Sequence, residues 1–322
     1  MFVLPVCYRS QSPMDKRQST IDKSILTGDL RATLLRLALP VLVEQFLSFC
    51  IGLYDTFLAG HLRGGISEVA TSAVGIGVYV SWLGTLLFSF VSAGTTALVA
   101  RAQGRGDLDD ANRVTNRSFT LGLLVGLTFV ACVVPLADLI ARFILSGDAA
   151  VRITARYIRL DSIGLIFSSI SYMGAAALRG SGNMRTPMLI FAVVAALNAA
   201  ASTLLVFGAG PIPSLGIDGI VLGTVVARTT GGVLMTISLA RGISGLQLKP
   251  SELCVVDHTV RRILSVGIPA ALDGLAMWGG HFVFLTIIGR FGQTAFAAHT
   301  IGIRVEALTY LPAVAWPPPP PR

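Results

Sequence analysis

Apolar residues run along this chain in long stretches separated by short polar ones. The stretches fall at about 34–60, 69–98, 117–145, 153–178, 187–208, 217–240, 263–289 and 294–316. "LLRLALPVLVEQFLSFCIGLYDTFLAG" and "SFTLGLLVGLTFVACVVPLADLIARFIL" are both longer than a core helix needs. Each exceeds the ~20 residues required to cross hydrocarbon. The pattern therefore predicts eight transmembrane helices and an all-α polytopic membrane protein.

Composition agrees. Hydrophobic residues make up 53% of the chain and charged residues 13%, against about 25% charged in a soluble domain. The formal charge of +8 would suit nucleic acid if it formed a stripe beside aromatics. The cations sit instead in the loops between apolar segments, so no nucleic-acid partner is expected and the lipid bilayer is. Their distribution is a topology signal. Basic clusters precede the first segment and follow the second, fourth and sixth, whereas the alternate loops hold fewer cations. The positive-inside rule then places the N-terminus in the cytoplasm of a multi-pass cell-membrane protein. Arg152, Arg156 and Arg159 fit this scheme least well, because they fall at the outer start of the fourth helix.

The chain also resembles itself. "LALPVLVEQ" (37–45) matches "VGIPAALDG" (266–274), aligning Pro40 with Pro269 and Glu44 with Asp273. "SEVATSAVGIG" (67–77) matches "QTAFAAHTIGI" (293–303) after a small gap. Helices seven and eight thus repeat helices one and two in the same orientation, a recurrent plan of secondary transporters. The organisation expected is a cytoplasmic N-terminal segment (1–33), a six-helix lobe (34–241) and a cytoplasmic linker (242–262). The first two helices of a second lobe (263–316) and an anomalous proline-rich end (317–322) follow. Consecutive prolines lack amide donors and cannot continue a helix in lipid, so "AVAWPPPPPR" reads as a frame error or an assembly edge, and the chain as a fragment.

The candidate chemistry lies in charges within apolar runs. Asp55 stands inside "FCIGLYDTFLAGHL". A carboxylate there costs a few kcal/mol unless it faces a wet or protein-lined cavity, and such residues mark proton or ion pathways. It lies ~7–9 Å from the end of its helix by helical rise, but aspartate is too short to snorkel well. Glu44 and Asp273 each follow a helix-start proline by one turn, where the helix N-terminus favours an acid in any case. Arg228, Arg304 and Glu306 are further intramembrane charges, suited to an ion pair or a cavity lining. His281 and His299 read as packing residues. Cys7, Cys50, Cys132 and Cys254 lie far apart and form no CxxC, so neither a metal site nor a disulfide framework is expected. No GxxxxGK[ST], GxSxG or HExxH motif occurs, which points away from an ATP site and from an enzyme. "GSGNMRTP" and "GRGD" read as turns between helices.

"LALPVLVEQFLSFCIGLYDTFLAGHL", "SAGTTALVARAQGRGDLDDANR", "ALRGSGNMRTPM" and "VGIPAALDG…GRFGQTAFAAHTIGI" together resemble the multidrug and toxic compound extrusion (MATE) transporters over roughly residues 30–316. The resemblance implies two six-helix bundles around a central cavity. It also implies export of drugs, toxins or small metabolites, often cationic or amphipathic, by a monomer using alternating access. No cofactor is implied beyond a coupling ion, H+ or Na+. Asp55 falls on the family's cation-coupling acid, Asn198 on a fifth-helix asparagine of the same pocket, and Thr224 beside it from the sixth helix. Met277 stands where some branches carry a glutamate, which points to a DinF-like branch. Ser202 stands where that branch often has an aspartate, so one carboxylate of the implied pair is missing. A lipid-linked precursor flippase of the same superfamily is the second reading, and it would need a strongly cationic groove.

Overall fold

The computed structural model describes residues 30–62, 66–208, 213–253 and 257–315. The N-terminal segment, Arg63 and the proline-rich end lie outside them, as do the side chains of Asp273 and Arg304. Eight α-helices follow in order among the described residues: α1 (Leu30–Gly60), α2 (Ser67–Gly104), α3 (Leu108–Ile144), α4 (Asp148–Gly180), α5 (Arg185–Phe207), α6 (Ile217–Ala240), α7 (His258–Gly289) and α8 (Gln293–Ala315). The first six are long and apolar enough to span a membrane. Helix α7 makes a seventh if its two segments, bent by 51° at the break between Pro269 and Gly274, form one span. Over its described residues α8 does not reach the length and apolarity of the others, so six or seven spans stand where eight were expected. This is an all-helical, multi-pass membrane protein. Each helix matches one predicted apolar segment.

Several helices are longer than their apolar runs. At ~1.5 Å per residue, the 38 residues of α2 extend well past the ~30 Å of hydrocarbon. Apolarity marks the part of a helix in lipid, and capping decides where the helix stops in water. "GRGD" is such a stop. Gly106 turns the chain at φ +72°, and Asp107 accepts a hydrogen bond from the Asp110 amide at 2.9 Å to cap α3. Asn183 accepts from the Thr186 amide at 3.0 Å at the start of α5. Asp257 accepts from the Thr259 amide at 2.9 Å to cap α7, which begins five residues before its apolar run.

Helix α4 packs against α2, α3 and α6, while α5 pairs with α6 and α7 lies across α2 and α3. Glycine makes the tightest of these crossings. A Cβ on Gly223 would lie 2.5 Å from the Ser202 amide nitrogen, and one on Gly94 would lie 2.3 Å from the Ile263 carbonyl. Two of the three awkward arginines of α4 are paired, and the third, Arg152, is exposed. Arg156 pairs with Asp218 of α6 at 2.7 Å, and Arg159 pairs with Asp138 of α3. Arg142 meets Asp148 at 3.4 Å across the α3–α4 turn.

The segment between α6 and α7 is strapped onto α3. Asn112 donates to the Gly245 carbonyl at 3.2 Å and accepts from the Gln247 amide at 2.6 Å. One turn later, Asn116 donates to the Gln247 carbonyl at 3.0 Å and accepts from the Lys249 amide at 2.9 Å. Four helical residues rise about 6 Å, and two extended residues about 6.6 Å, so asparagines at i and i+4 read alternate peptides of the strap. Arg117 then holds the Glu252 carbonyl and faces Asp257 at 3.4 Å. Burial at Asp257 acts to raise its carboxyl, but hydrogen bonds from Thr259 and the Arg117 charge outweigh it and hold it below the usual carboxylate range. Its contribution is complete above the ordinary value of 3.8 and is lost as pH falls through the lowered one. Asn116→Ala removes both of its bonds to the strap, at about 1 kcal/mol each, together with its bond to the Asn112 carbonyl of its own helix. The expected outcome is faster proteolysis between α6 and α7 with the transmembrane helices still protected.

Candidate functional site

The first helix has two faces. Leu39, Phe46, Leu53 and Phe57 are about half exposed, whereas Glu44, Asp55, Thr56, Leu58 and Ala59 are buried. In lipid the apolar face belongs outside and polar groups must be satisfied within the protein. Asp55 is therefore directed into the bundle.

It lies on the wall of a cavity of about 200 Å³ between α1, α2, α4, α5 and α6. Ser81, Trp82, Tyr157, Asp161, Tyr172, Phe191, Thr224 and Arg228 share that wall. The Thr224 hydroxyl donates to Asp55 Oδ2 at 3.1 Å and accepts from Asn198 Nδ2 at 3.0 Å. The same hydroxyl is also 3.1 Å from the Ile220 carbonyl. A hydroxyl has one proton, so carboxylate and carbonyl compete for it, and the charge on Asp55 decides which is favoured. Asn198 Oδ1 is buried with no hydrogen-bond partner among the described residues.

The residues singled out in the sequence are thus distributed unevenly. Asp55 and Thr224 line the cavity, and Asn198 stands behind Thr224 as its donor. Ser202 lies in the α5–α6 contact, where its hydroxyl donates to the Ile220 carbonyl at 3.3 Å and crowds Gly223. A small side chain is what that crossing requires. Glu44 is buried in an ion pair with Arg179 of α4, away from the cavity wall. Glu306 is exposed on α8. His299 meets the Tyr79 hydroxyl at 3.0 Å, and His281 meets the Met277 carbonyl of its own helix at 3.1 Å.

Arg228 has a partner that sequence reasoning missed. Its Nη1 donates to Asp161 Oδ1 at 2.8 Å, and Ser81 donates to Asp161 Oδ2 at 2.7 Å. Asp161 is 3% exposed. It stands in "YIRLDSIGLIF", a carboxylate in an apolar run like Asp55. The three arginines just before it in the chain drew attention to the helix end instead.

Comparison with known proteins gives concordant results. Residues 40–240, more than half the chain, match the family model described as MatE. A probable multidrug resistance protein NorM of Thermotoga maritima is 29% identical over 286 residues, covering 88% of this chain and 60% of that protein. A counterpart from Acinetobacter baylyi is 28% identical over 292 residues, covering 86% and 61%. Among solved structures, an outward-facing multidrug resistance MATE family transporter of the MOP superfamily superposes with a TM-score of 0.77 at 22% identity, covering 91% of this chain and 64% of that one. A MOP superfamily transporter from Pyrococcus furiosus gives 0.76 at 22% identity, with the same coverage. At that identity the likeness establishes the fold. The chain spans about 60% of the length of these curated relatives.

Proposed function

The chain belongs to the MatE family, and from that premise we propose that it acts as a cation-coupled exporter of organic, often cationic or amphipathic solutes. One observation carries this reading. A buried carboxylate on the inner face of an apolar helix shares a cavity wall with Trp82, Tyr157, Tyr172 and Phe191. Aromatic faces hold planar and cationic solutes, and the carboxylate attracts either a coupling ion or a solute cation. Competition between the two at Asp55 couples the inward flow of H+ or Na+ to the outward movement of solute. Thr224 and Asn198 orient the acid.

Alternating access presents the cavity to each side in turn, with the N-terminus in the cytoplasm of the cell membrane. The relatives named as multidrug resistance proteins support a xenobiotic substrate. A lipid-linked precursor flippase is not favoured, because Arg228 is the one cation on the cavity wall among the described residues and Asp161 already matches its charge.

The test is export of a fluorescent organic cation from proteoliposomes under imposed gradients. Export is expected only with an inward proton or sodium gradient. Export that proceeds equally without either gradient would overturn the reading.

A further inference from the structure

A buried ion pair is often no more stabilising than a well-packed apolar replacement, so the Asp161–Arg228 pair calls for another explanation. Side chains from three helices converge on it: Ser81 from α2, Asp161 from α4 and Arg228 from α6. Both carboxylate oxygens are engaged, one by Arg228 at 2.8 Å and one by Ser81 at 2.7 Å, and Arg228 Nη2 also reaches Ser81 Oγ at 3.4 Å. The carboxylate is the more sheltered partner, with side-chain exposures of 5% for Asp161 and 22% for Arg228. Gly164, three residues after Asp161, leaves room for the arginine stem, because a Cβ there would lie 3.1 Å from Arg228 Cδ. The guanidinium is thus held from both ends. Thr224, the donor to Asp55, lies one turn before Arg228 on α6, and all of these groups except Gly164 face the same cavity.

We propose that Arg228 determines the charge of the solute that the cavity takes. By matching Asp161 it cancels one carboxylate, and the cavity then prefers a singly charged organic cation to a doubly charged one. The proposal rests on the reading of this cavity as the solute site. Arg228→Gln makes the wall one unit more negative and Asp161→Asn one unit less negative. The double variant leaves the total unchanged. At an effective dielectric of about 20, a unit charge ~10 Å away changes affinity roughly tenfold.

The experiment measures binding of two dyes to the 322-residue chain in nanodiscs. Ethidium carries one positive charge, and propidium carries two on the same ring system. Arg228→Gln is expected to raise the propidium-to-ethidium affinity ratio roughly tenfold, and Asp161→Asn to lower it by a similar factor. The double variant is expected to return near the unmodified ratio. Arg228→Lys, which keeps the charge but loses the two-pronged contact, is expected to hold that ratio as well. A double variant no better than its worse parent, or a lysine variant that behaves like glutamine, would assign the pair to structure alone and overturn the proposal. Failure of the unmodified chain to bind ethidium would remove the solute-site reading itself, and the proposal with it.

Discussion

Asp55→Asn inserts and folds, yet its export under an imposed ion gradient falls by about one to two orders of magnitude, the scale of a typical coupling free energy. Asparagine occupies nearly the same volume. Its amide oxygen can still accept from Thr224, which lies 3.1 Å from the carboxylate. The wall keeps its shape and loses its charge. With no acid to gain and lose a cation, solute and coupling ion no longer compete for one position. The check is dye accumulation in inverted vesicles, where export from the cytoplasm becomes uptake, with protein level and thermal unfolding measured in parallel. Export by this variant at the unmodified rate would remove Asp55 from the mechanism.

The second large effect is on the fold. Gly223→Leu places a branched side chain where even a Cβ would lie 2.3–2.6 Å from Ser202 Oγ, N and Cα. Backbone atoms cannot rotate aside, so α5 and α6 must separate. Overpacking of this kind costs about 1–3 kcal/mol and occasionally more, and a clash with main chain belongs at the upper end. The separation also pulls Thr224, the next residue, away from Asn198. The expected readout is a clear drop in the unfolding temperature of the purified protein together with loss of dye binding. Unchanged stability would show that the two helices do not cross as closely as described.

How much of this was legible beforehand depends on what each feature needs. Helix number and order were visible because each of the eight helices carries its own apolar run, whatever the packing. Helix ends were not. The polar first turns of α3, with Asp109, Asp110 and Arg113, are helical in water for reasons of capping by Asp107, and a hydropathy pattern carries no sign of that. Asp55 could be read from its neighbours alone, since a carboxylate in an apolar run must face inward. Asp161 obeys the same rule, but its meaning depends on Arg228, 67 residues later. Ser202 shows the converse. A resemblance can point to the position, but only the crossing of α5 over Gly223 shows that a small residue is demanded there. The strap over α3 lay hidden because its logic joins two different periodicities, helical in Asn112 and Asn116 and non-helical in the segment that leaves the Ile243–Gly245 turn at Leu246.

The central claim is that solute and coupling ion compete for the carboxylate of Asp55. It is tested most directly by measuring ethidium affinity across a series of proton and sodium concentrations, for the unmodified protein and for Asp55→Asn. The account predicts that affinity in the unmodified protein weakens as one of the two ions rises, and that the asparagine variant binds weakly and indifferently to both. An asparagine variant that retains the ion dependence of the unmodified protein would contradict it.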